Sequence, residues 1–406
     1  MLYIKRDIED KIISISKQYA CLLLTGPRQV GKTTMLEKLD PVRKKVTLDN
    51  LQDRELALKD PALFLQIYSP PILIDEVQYA PILFSYIKIA IDNGAKPGSF
   101  WLTGSQSFAL MNLAQESLAG RVAILKMSVL TQNEAFNNTK LNKFELDFAK
   151  LNNMSISLNK ANINEIFTRI FFGGLPAIVS KKITDRKIFF ESYIETYLYR
   201  DIKDEISIKD NFKFRNFIKA LACRVGQEIN IHSVAQDADI SDDTAKRWLF
   251  LLEKSQIIYL LHPYSSKLLK RTIKAPKLYF FDTGVVSYLT SHHSPEILRD
   301  SSISGVILEN YVINQIRGSY FNLAEPFNLY YYRDKEQKEV DLILDCDNSL
   351  YAIEIKKTSH PNSHMLKGVF HLRKQKIEIK KTSIICVSDK VSMLDEDTII
   401  VPIWAF

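Results

Sequence analysis

A nine-residue stretch, GPRQVGKTT, constrains the fold of this chain more than any other feature of the sequence. It spans Gly26 to Thr34, fits the spacing G-x-x-x-x-G-K-[ST], and stands between an apolar run, CLLL, and a helical segment at 35–39. The glycines let backbone N–H groups curl around phosphate oxygens, and the first turn of a helix adds positive potential. The pattern therefore predicts a phosphate-binding loop between a buried strand and a helix.

The same loop predicts which residues hold a nucleotide. Lys32 would reach the β- and γ-phosphates of ATP, where its charge assists catalysis, and the Thr33 hydroxyl would ligate Mg²⁺. The predicted ATP contacts are Gly26, Pro27, Arg28, Gln29, Val30, Gly31, Lys32, Thr33 and Thr34, with Asp75 added from a neighbouring strand.

A second apolar run, ILIDE, supplies two acids at the end of a predicted strand. Asp75 would hold Mg²⁺, and Glu76 would act as the general base that polarises the attacking water. Acids at the end of a strand are common by chance. The phosphate loop earlier in the chain makes this pair specific for a nucleotide hydrolase.

Two further features follow the predicted strand FWLTG. Ser105 and Gln106 come directly after it, and a polar residue there orients the attacking water or senses the γ-phosphate, although a plain turn accounts for them nearly as well. Arg121, in ESLAGR, would stabilise transition-state charge across a subunit contact, which requires a homo-oligomer. It would equally cap a helix or pair with Glu116.

The order of apolar runs predicts more than one domain. Alternating strands and helices from 19 to about 130 indicate an α/β domain with a parallel P-loop NTPase sheet, and 406 residues exceed one ordinary core. The predicted domains are 1–135, an ATPase domain; 136–165, a lid or linker; 166–275, a helical and helix-turn-helix region; and 276–406, a second α/β domain.

The composition is that of a globular protein, with 46% hydrophobic and 25% charged residues. No apolar run approaches the roughly 18 residues of a membrane span, and charges throughout the first residues exclude a signal-peptide core. Four scattered cysteines lack metal-ligand spacing. We therefore expect a cytoplasmic protein. Its net charge of +7 favours nucleic acid only weakly, because it is spread over a long chain.

The middle of the chain, 166–264, has helical periodicity and contains a helix-turn-helix pattern. A short helix, a turn near Ile240 and a second helix precede two strand-like runs, as in a winged helix. Thr244, Lys246 and Arg247 would face DNA, whereas the acidic start of the second helix is unfavourable beside phosphates. The same fold often serves in protein–protein contacts, so both interpretations stay open.

A series of short motifs extends along nearly the whole chain. They are LLTGPRQVGKTT, VTLDN with ALKDPALFL, ILIDEVQ, WLTGSQ and SLAGR in the first half, and GGLP, YIETYLYRDI, PKLYFFDTGV, GVILENYV and YYYRDKEQKEVDLIL with IEIKK in the second. In this order they resemble a family of prokaryotic AAA+-type ATPases (AAA_14-like) that carry a C-terminal domain called DUF4143. The resemblance implies ATP binding, a winged helix-turn-helix, and a C-terminal domain similar to the PD-(D/E)XK nuclease fold.

Nucleases of that fold collect an acid from a helix, an acid from a strand and an E-x-K pair from the next strand. The resemblance assigns these roles to Glu309, Asp341, Glu354 and Lys356. The period of a strand puts Glu354 and Lys356 on one face, and carboxylates there suit Mg²⁺ or Mn²⁺. Spacing alone does not choose between Glu339 and Asp341 as the strand acid, and the resemblance favours Asp341.

The C-terminal acids also fit two alternatives to a metal site. A solvated hairpin with a charged face gives the same pattern, and such folds also occur as inactive nucleic-acid-binding or structural domains. The leading expectation is an ATP-hydrolysing protein whose nucleotide state controls a winged-helix and nuclease-like module on nucleic acid. The alternatives are a non-cleaving, nucleotide-regulated DNA-binding switch or scaffold and an ATP-dependent protein-remodelling factor.

Overall fold

The computed structural model of the protein describes residues 3–104, 118–136, 143–198, 211–264, 275–334 and 336–406. The chain divides into two compact units. The first is Met1–Leu130 with the short segments Lys254–Gln256 and Phe321–Ala324; the second is Thr131–Glu253, Ile257–Tyr320 and Glu325–Phe406.

The first unit is built on a five-stranded sheet in which every pair of neighbouring strands is parallel. The strand order is β2-β3-β4-β1-β5. The strands are β1 (Cys21–Thr25), β2 (Lys44–Thr47), β3 (Ile72–Asp75), β4 (Phe100–Gly104) and β5 (Val122–Lys126). Parallel strands need crossover connections, and the described crossovers contain helices. These are α2 (Lys32–Leu39), α3 (Leu51–Lys59), α4 (Pro61–Ile67) and α5 (Leu83–Asp92), while α1 (Glu9–Ser16) precedes the sheet.

The predicted apolar runs form the core of this sheet. All five residues of β1 and all five of β4 are buried, as continuous apolar runs in a parallel sheet should be. The helices begin where the sequence offers caps: the Asn50 side chain accepts from the first backbone N–H groups of α3, and Asp60 does the same for α4, with Pro61 at its first position. The predicted α/β domain with a parallel sheet is confirmed.

The second unit begins with helices. They are α6 (Gln132–Ala135), α7 (Phe148–Ser157), α8 (Ile163–Phe172), α9 (Pro176–Val179), α10 (Arg186–Ser192), α11 (Asn211–Ala222), α12 (Ile231–Asp237) and α13 (Asp242–Lys254). The antiparallel strands β6 (Ile258–Leu261) and β7 (Lys277–Phe280) follow. Trp248, Leu249 and Leu252 of α13 are buried, as predicted. The order of elements agrees with the expected helix-turn-helix; the winged-helix interpretation stays a prediction.

The same unit ends in a six-stranded mixed sheet of order β12-β13-β11-β10-β9-β8. Three helices lie before it in the chain: α14 (Thr283–Leu289), α15 (Pro295–Arg299) and α16 (Ser304–Leu323). The strands are β8 (Asn328–Arg333), β9 (Glu339–Cys346), β10 (Ser349–Lys356), β11 (Lys381–Cys386), β12 (Ser392–Met393) and β13 (Thr398–Pro402), with α17 (Lys367–Lys374) between β10 and β11. β8, β9 and β10 pair antiparallel, whereas β10, β11 and β13 run parallel. The predicted second α/β region is present.

The predicted lid or linker at 136–165 contains defined structure where it is described. Phe144 is fully buried, its ring packs edge-on against Phe406, and its carbonyl accepts from the Tyr320 hydroxyl at 2.9 Å. Helix α7 follows, capped by Asp147. Among the described helices, none is long and apolar enough to cross a membrane.

Two helical glycines of the second unit allow a matched test of packing. A Cβ on Gly368 in α17 would lie 1.9 Å from the carbonyl oxygen of Glu339, whereas a Cβ on Gly305 in α16 meets nothing within 4 Å. We expect Gly368→Ala to lower the free energy of unfolding by about 1–3 kcal/mol, because the backbone of β9 must move. Gly305→Ala should be neutral or slightly stabilising. Urea unfolding of both variants measures the difference, and equal stability of the two would contradict the close packing of α17 on β9.

Candidate functional site

The phosphate loop lies at the carboxyl edge of the parallel sheet, directly after β1. Its backbone uses left-handed conformations at Gln29 (φ 61°) and Gly31 (φ 91°), which turn successive peptide groups within a short loop. Gly26 has no room for a side chain, because a Cβ there would lie 2.4 Å from the carbonyl oxygen of Met127. The loop is therefore a tightly fixed backbone structure.

Lys32, the first residue of α2, is held against this loop. Only 7% of the residue is exposed, and its Nζ donates to the carbonyl oxygens of Gly26 and Pro27, each at 2.8 Å. A buried ammonium group requires such oxygen partners. Phosphate oxygens satisfy the same requirement, so the environment of Lys32 suits its predicted role.

Asp75, at the end of β3, is brought to the start of α2. Its Oδ1 accepts from the Thr33 hydroxyl at 2.7 Å and also from the Thr103 hydroxyl of β4. A carboxylate and a hydroxyl side by side are hard oxygen donors, so these residues fit an Mg²⁺ ion at this place. The structure thus brings together Thr33 and Asp75, which the sequence predicted, and adds Thr103, which it did not. The only sequence signal for Thr103 was its place near the end of a neighbouring strand.

Glu76 follows Asp75 in a left-handed conformation, with φ 55°. Gln78 donates its side-chain amide to the Glu76 carboxylate. Glu76 therefore leaves the strand by a sharp turn and has a neighbour that orients its carboxylate, which suits a general base. Gln78 was not among the predicted site residues.

The other predicted catalytic residues are placed differently. Arg121 lies just before the first residue of β5, at the amino edge of the sheet, and pairs with Asp92 through Nε–Oδ1 (2.6 Å) and Nη2–Oδ2 (3.2 Å). A five-residue strand is about 16 Å long, so Arg121 stands at the edge opposite the phosphate loop. It cannot complete the site of its own chain in this arrangement. Ser105, Gln106 and Glu116 lie outside the described residues.

A buried arginine that precedes α1 donates hydrogen bonds to the phosphate loop and to the segment after β5. Arg6 is 2% exposed, and its guanidinium donates to the carbonyl oxygens of Val30 and Ser128, both at 2.8 Å. Val30 belongs to the phosphate loop, and Ser128 follows β5 at the same sheet edge. The Arg6 backbone N–H is in turn bound by the Glu9 carboxylate at 2.6 Å. Sequence reasoning missed Arg6 because a charged residue near a chain end is ordinarily taken as exposed.

In the second unit the predicted E-x-K residues and the strand acid come together. Lys356 Nζ lies 2.6 Å from Asp341 Oδ2 and 2.8 Å from Glu354 Oε2. The backbone N–H of Ile355 also donates to Asp341 Oδ2, at 2.8 Å. Asp341 on β9 and Glu354 on β10 are thus joined by one ammonium group.

Glu309, the predicted helix acid, is held by a second lysine that the sequence analysis did not single out. Lys277 of β7 is 4% exposed, and its Nζ lies 3.3 Å from Glu309 Oε1 and also bonds Glu339. The Tyr279 hydroxyl donates to the same Glu309 oxygen. Glu339 has a further cation in Arg333, at 3.1 Å. Asp341 and Glu339, which spacing could not separate, therefore have different partners.

Burial and mutual repulsion shift the pKa values of Glu309 and Glu354. Burial raises the pKa of Glu309 to about 7, with Lys277 acting against the shift and Asp341 adding to it. Burial and the neighbouring Asp341 raise the pKa of Glu354 well above its usual range. Burial alone would lower the pKa of Lys356, but Asp341 and Glu354 outweigh it and raise that pKa. The neighbouring acids therefore favour the charged form of Lys356, and burial favours the neutral form of Glu354.

The arrangement of these side chains does not suit a divalent metal. Within the described ranges, no group of three or more His, Cys, Asp or Glu side chains is placed to hold a metal ion. Asp341 Oδ2 and Glu309 Oε1 are each bonded to an ammonium group. Glu354 Oε1 is buried without a hydrogen-bond partner, while Glu354 Oε2 is paired with Lys356 at 2.8 Å. As arranged, the residues form a lysine–carboxylate cluster.

The surface of α13 agrees only partly with a DNA-reading helix. Lys246 and Arg247 are exposed. Lys246 lies 3.7 Å from Asp243, an exposed ion pair of little energetic weight. Ser241 caps the start of the helix, since its hydroxyl accepts from the Thr244 backbone N–H at 3.2 Å and contacts the Thr244 hydroxyl at 2.9 Å.

Three family models match successive parts of the chain. Residues 18–136 match an AAA domain, 163–296 match a domain of unknown function called DUF8612, and 304–406 match DUF4143, also a domain of unknown function. The AAA match and the geometry around Lys32 and Asp75 agree. Residues 18–136 are therefore a P-loop domain of the AAA type, and this match supports ATP binding there.

Individual relatives extend over both units. The uncharacterized protein Rv2008c of Mycobacterium tuberculosis is 29% identical over 365 residues, covering 89% of this chain and 76% of its own length. The uncharacterized protein MJ1637 of Methanocaldococcus jannaschii is 24% identical over 337 residues, covering 75% of this chain and 68% of its own. Among solved structures, the Walker-type ATPase PABY2304 of Pyrococcus abyssi overlaps 71% of this chain and 96% of its own, with 14% identity and a TM-score of 0.44.

We expect Arg6→Met to affect both folding and nucleotide binding. The variant keeps the apolar stem but leaves the carbonyls of Val30 and Ser128 without a donor, which should lower the free energy of unfolding by about 3 kcal/mol. A loop that loses its support should also bind ATP about tenfold less tightly, equivalent to about 1.4 kcal/mol. Urea unfolding and the KM for ATP measure the two effects.

Arg43→Met is the matched control. Arg43 donates to the carbonyl of Gly98 at 2.7 Å and stacks on Trp101 3.9 Å away, but at the amino edge of the sheet. It should lose stability while keeping the KM for ATP. If Arg6→Met also keeps its KM, Arg6 has a purely structural role.

Proposed function

We propose that the protein hydrolyses ATP at the carboxyl edge of the first unit and that its nucleotide state controls how the second unit acts on nucleic acid. The observation that supports hydrolysis is the hydrogen bond between Thr33 and Asp75, next to Lys32 and followed by Glu76. These residues are the set that a P-loop hydrolase uses. They come from one loop and one neighbouring strand.

Each residue of this set has a distinct task. Lys32 exchanges its loop carbonyls for the β- and γ-phosphate oxygens and offsets their charge. Thr33 and Asp75 would hold Mg²⁺, which supplies further neutralisation of phosphate charge when bound. Glu76, oriented by Gln78, accepts the proton of the attacking water. Thr103 fixes the Asp75 carboxylate, so that Asp75 does not need to reorganise during turnover.

Arg121 takes part only through a second copy of the chain. Its position at the amino edge of the sheet separates it from the phosphate loop of its own subunit. An arginine supplied in trans stabilises transition-state charge in related chemistry. Its ion pair with Asp92 is half exposed, and such pairs exchange partners at little cost.

For the second unit we favour binding of nucleic acid without cleavage. The helix-turn-helix order of α12 and α13, the exposed Lys246 and Arg247, and the positive net charge of the chain support binding. The pairing of Asp341, Glu354 and Glu309 with lysines favours the non-cleaving alternative over metal-dependent hydrolysis of a phosphodiester.

The ATPase site is tested by two variants that separate binding from hydrolysis. Lys32→Ala should lose ATP binding and lower turnover by about 100-fold or more, because it removes the buried cation that faces the phosphates. Glu76→Gln should keep ATP binding and lower turnover by about 100-fold or more, because only the base is lost. Phosphate release and binding of a fluorescent ATP analogue measure the two properties.

Two controls belong to this test. Lys38→Ala, on the exposed side of the same helix, should behave as the wild type. Arg121→Ala should bind ATP normally and hydrolyse it slowly, with turnover restored by mixing it with Glu76→Gln subunits. Wild-type turnover of Lys32→Ala would refute the assignment of the phosphate loop, and wild-type turnover of Arg121→Ala would refute its role in trans.

Nucleic-acid binding is tested with fluorescent duplex DNA, single-stranded DNA and RNA at several salt concentrations, with and without ATP. We expect at least one to bind, with an affinity that ATP changes. The double variant Lys246→Ala/Arg247→Ala should bind more weakly and lower the salt slope by up to about 0.9 for each phosphate that is no longer neutralised. Asp243→Ala, on the same helix, should not weaken binding. Absence of binding at low salt would leave protein remodelling as the better interpretation.

The same samples test cleavage. We expect intact plasmid, single-stranded DNA and RNA after incubation with Mg²⁺ or Mn²⁺, with or without ATP. Cleavage that disappears in Asp341→Ala would show that the C-terminal cluster is a nuclease site after all.

A further inference from the structure

Lys277, the lysine that pairs with Glu309, lies in a different part of the chain from the three acids of the predicted metal site. Glu309, Asp341 and Glu354 all lie in the stretch 304–406 that matches DUF4143. Lys277 lies in the stretch 163–296 that matches DUF8612. Its ammonium group joins helix α16 through Glu309 and strand β9 through Glu339.

We propose that Lys277 is a built-in cation of the C-terminal acidic cluster, which is therefore complete and stable without a divalent metal ion. This inference deepens the non-cleaving interpretation of the second unit and does not depend on ATP hydrolysis in the first. Lys277 is not part of the E-x-K pattern, and it precedes the C-terminal acids in the sequence.

The charges explain why a cation is needed at this place. Carboxylates gathered in a buried cluster repel one another and are costly unless a positive charge lies among them. Lys277 is itself buried and lies 5.5 Å from the centre of the Tyr331 ring, so its charge is not available to solvent. Lys277 bonds Glu309 and Glu339, while Lys356 bonds Asp341 and Glu354. Each of the four acids thus has an ammonium partner.

The position of Lys277 is fixed by hydrogen bonds around it. The side-chain amide of Asn310, the residue after Glu309, accepts from the Phe280 N–H at 2.9 Å and donates to the Phe280 carbonyl at 2.8 Å. Asn310 therefore acts as a strand partner for β7. On its other edge β7 pairs with β6, where Lys277 stands opposite Leu261. The register of β7 beside α16 is thus set by contacts that do not involve charge.

A divalent ion would have to disrupt this arrangement to bind. It would compete with Lys277 and Lys356 for the Glu309 and Asp341 carboxylates, so that each ammonium group would lose one of its two carboxylate partners. Removing a partner from a buried ion pair is strongly destabilising. The wild-type cluster should therefore bind Mg²⁺ or Mn²⁺ weakly.

The test compares metal dependence of stability in the full chain, with MnCl₂ as the probe and EDTA as the reference. The melting temperature of the wild type should be the same in both. Lys277→Met, which keeps the apolar stem of the side chain, should melt about 6 °C lower or more, and MnCl₂ should raise its melting temperature. Lys277→Met/Glu309→Gln should recover most of the loss, because the acid left unpaired has been neutralised and Glu339 keeps Arg333.

Lys381→Met is the control, since Lys381 is a half-exposed lysine of the same unit that pairs with Asp397 at 3.6 Å. It should change neither stability nor metal response. The proposal is overturned if MnCl₂ stabilises the wild type and Asp341→Asn abolishes that effect, because the cluster would then be a metal site. It is also overturned if Lys277→Met melts like the wild type. Should Lys277→Met fail to fold, recovery by the double variant supports the proposal, and failure of the double variant as well overturns it.

Discussion

Each unit of this protein contains a functional-site lysine that is buried, and the cost of burying an ammonium group determines what surrounds it. Lys32 is held by two backbone carbonyls of the phosphate loop, and Lys277 by two carboxylates. Neutral carbonyls compensate a positive charge only partly, whereas carboxylates compensate it fully. Lys32 therefore gains when phosphate oxygens replace its partners, and Lys277 has nothing further to gain. The need of a buried ammonium group for oxygen partners is therefore met only partly at Lys32, where phosphate oxygens can still bind, and fully at Lys277.

The parallel sheet explains why the phosphate-binding site around Lys32 is easily recognised in the sequence. A phosphate loop needs a strand, a short loop with glycines and a helix start, and all three are contiguous in the chain. Asp75 arrives at the same edge because β3 runs parallel to β1, with one strand between them. The rule that carboxyl ends of parallel strands share an edge is enough to predict that Thr33 and Asp75 approach each other. The contact of Asp341 with Lys356 in the second unit can be predicted for a similar reason, since β9 and β10 are neighbouring antiparallel strands.

The residues that the sequence did not indicate act across long separations. Arg6 bonds Ser128, and Lys277 bonds Glu309 and Glu339; neither residue has a periodic relation to its partners that a pattern could reveal. Both are charged residues that statistics place on the surface. Their burial follows from tertiary packing alone. The choice between Glu339 and Asp341 was undecidable for the same reason, because it depends on which cation each acid meets.

The C-terminal cluster shows why a fold pattern does not determine a reaction. Glu309, Asp341, Glu354 and Lys356 satisfy the residue types and order that the nuclease resemblance requires. A metal site, however, needs carboxylate oxygens that are free of stronger partners, and this property belongs to the surroundings of the acids. Here one additional buried lysine, Lys277, is the stronger partner and pairs with the Glu309 carboxylate. Because Lys277 is supplied by β7 and held in register by Asn310, the surroundings of the acids are set by the region that precedes them in the chain. The chemistry of residues 304–406 therefore cannot be deduced from those residues alone.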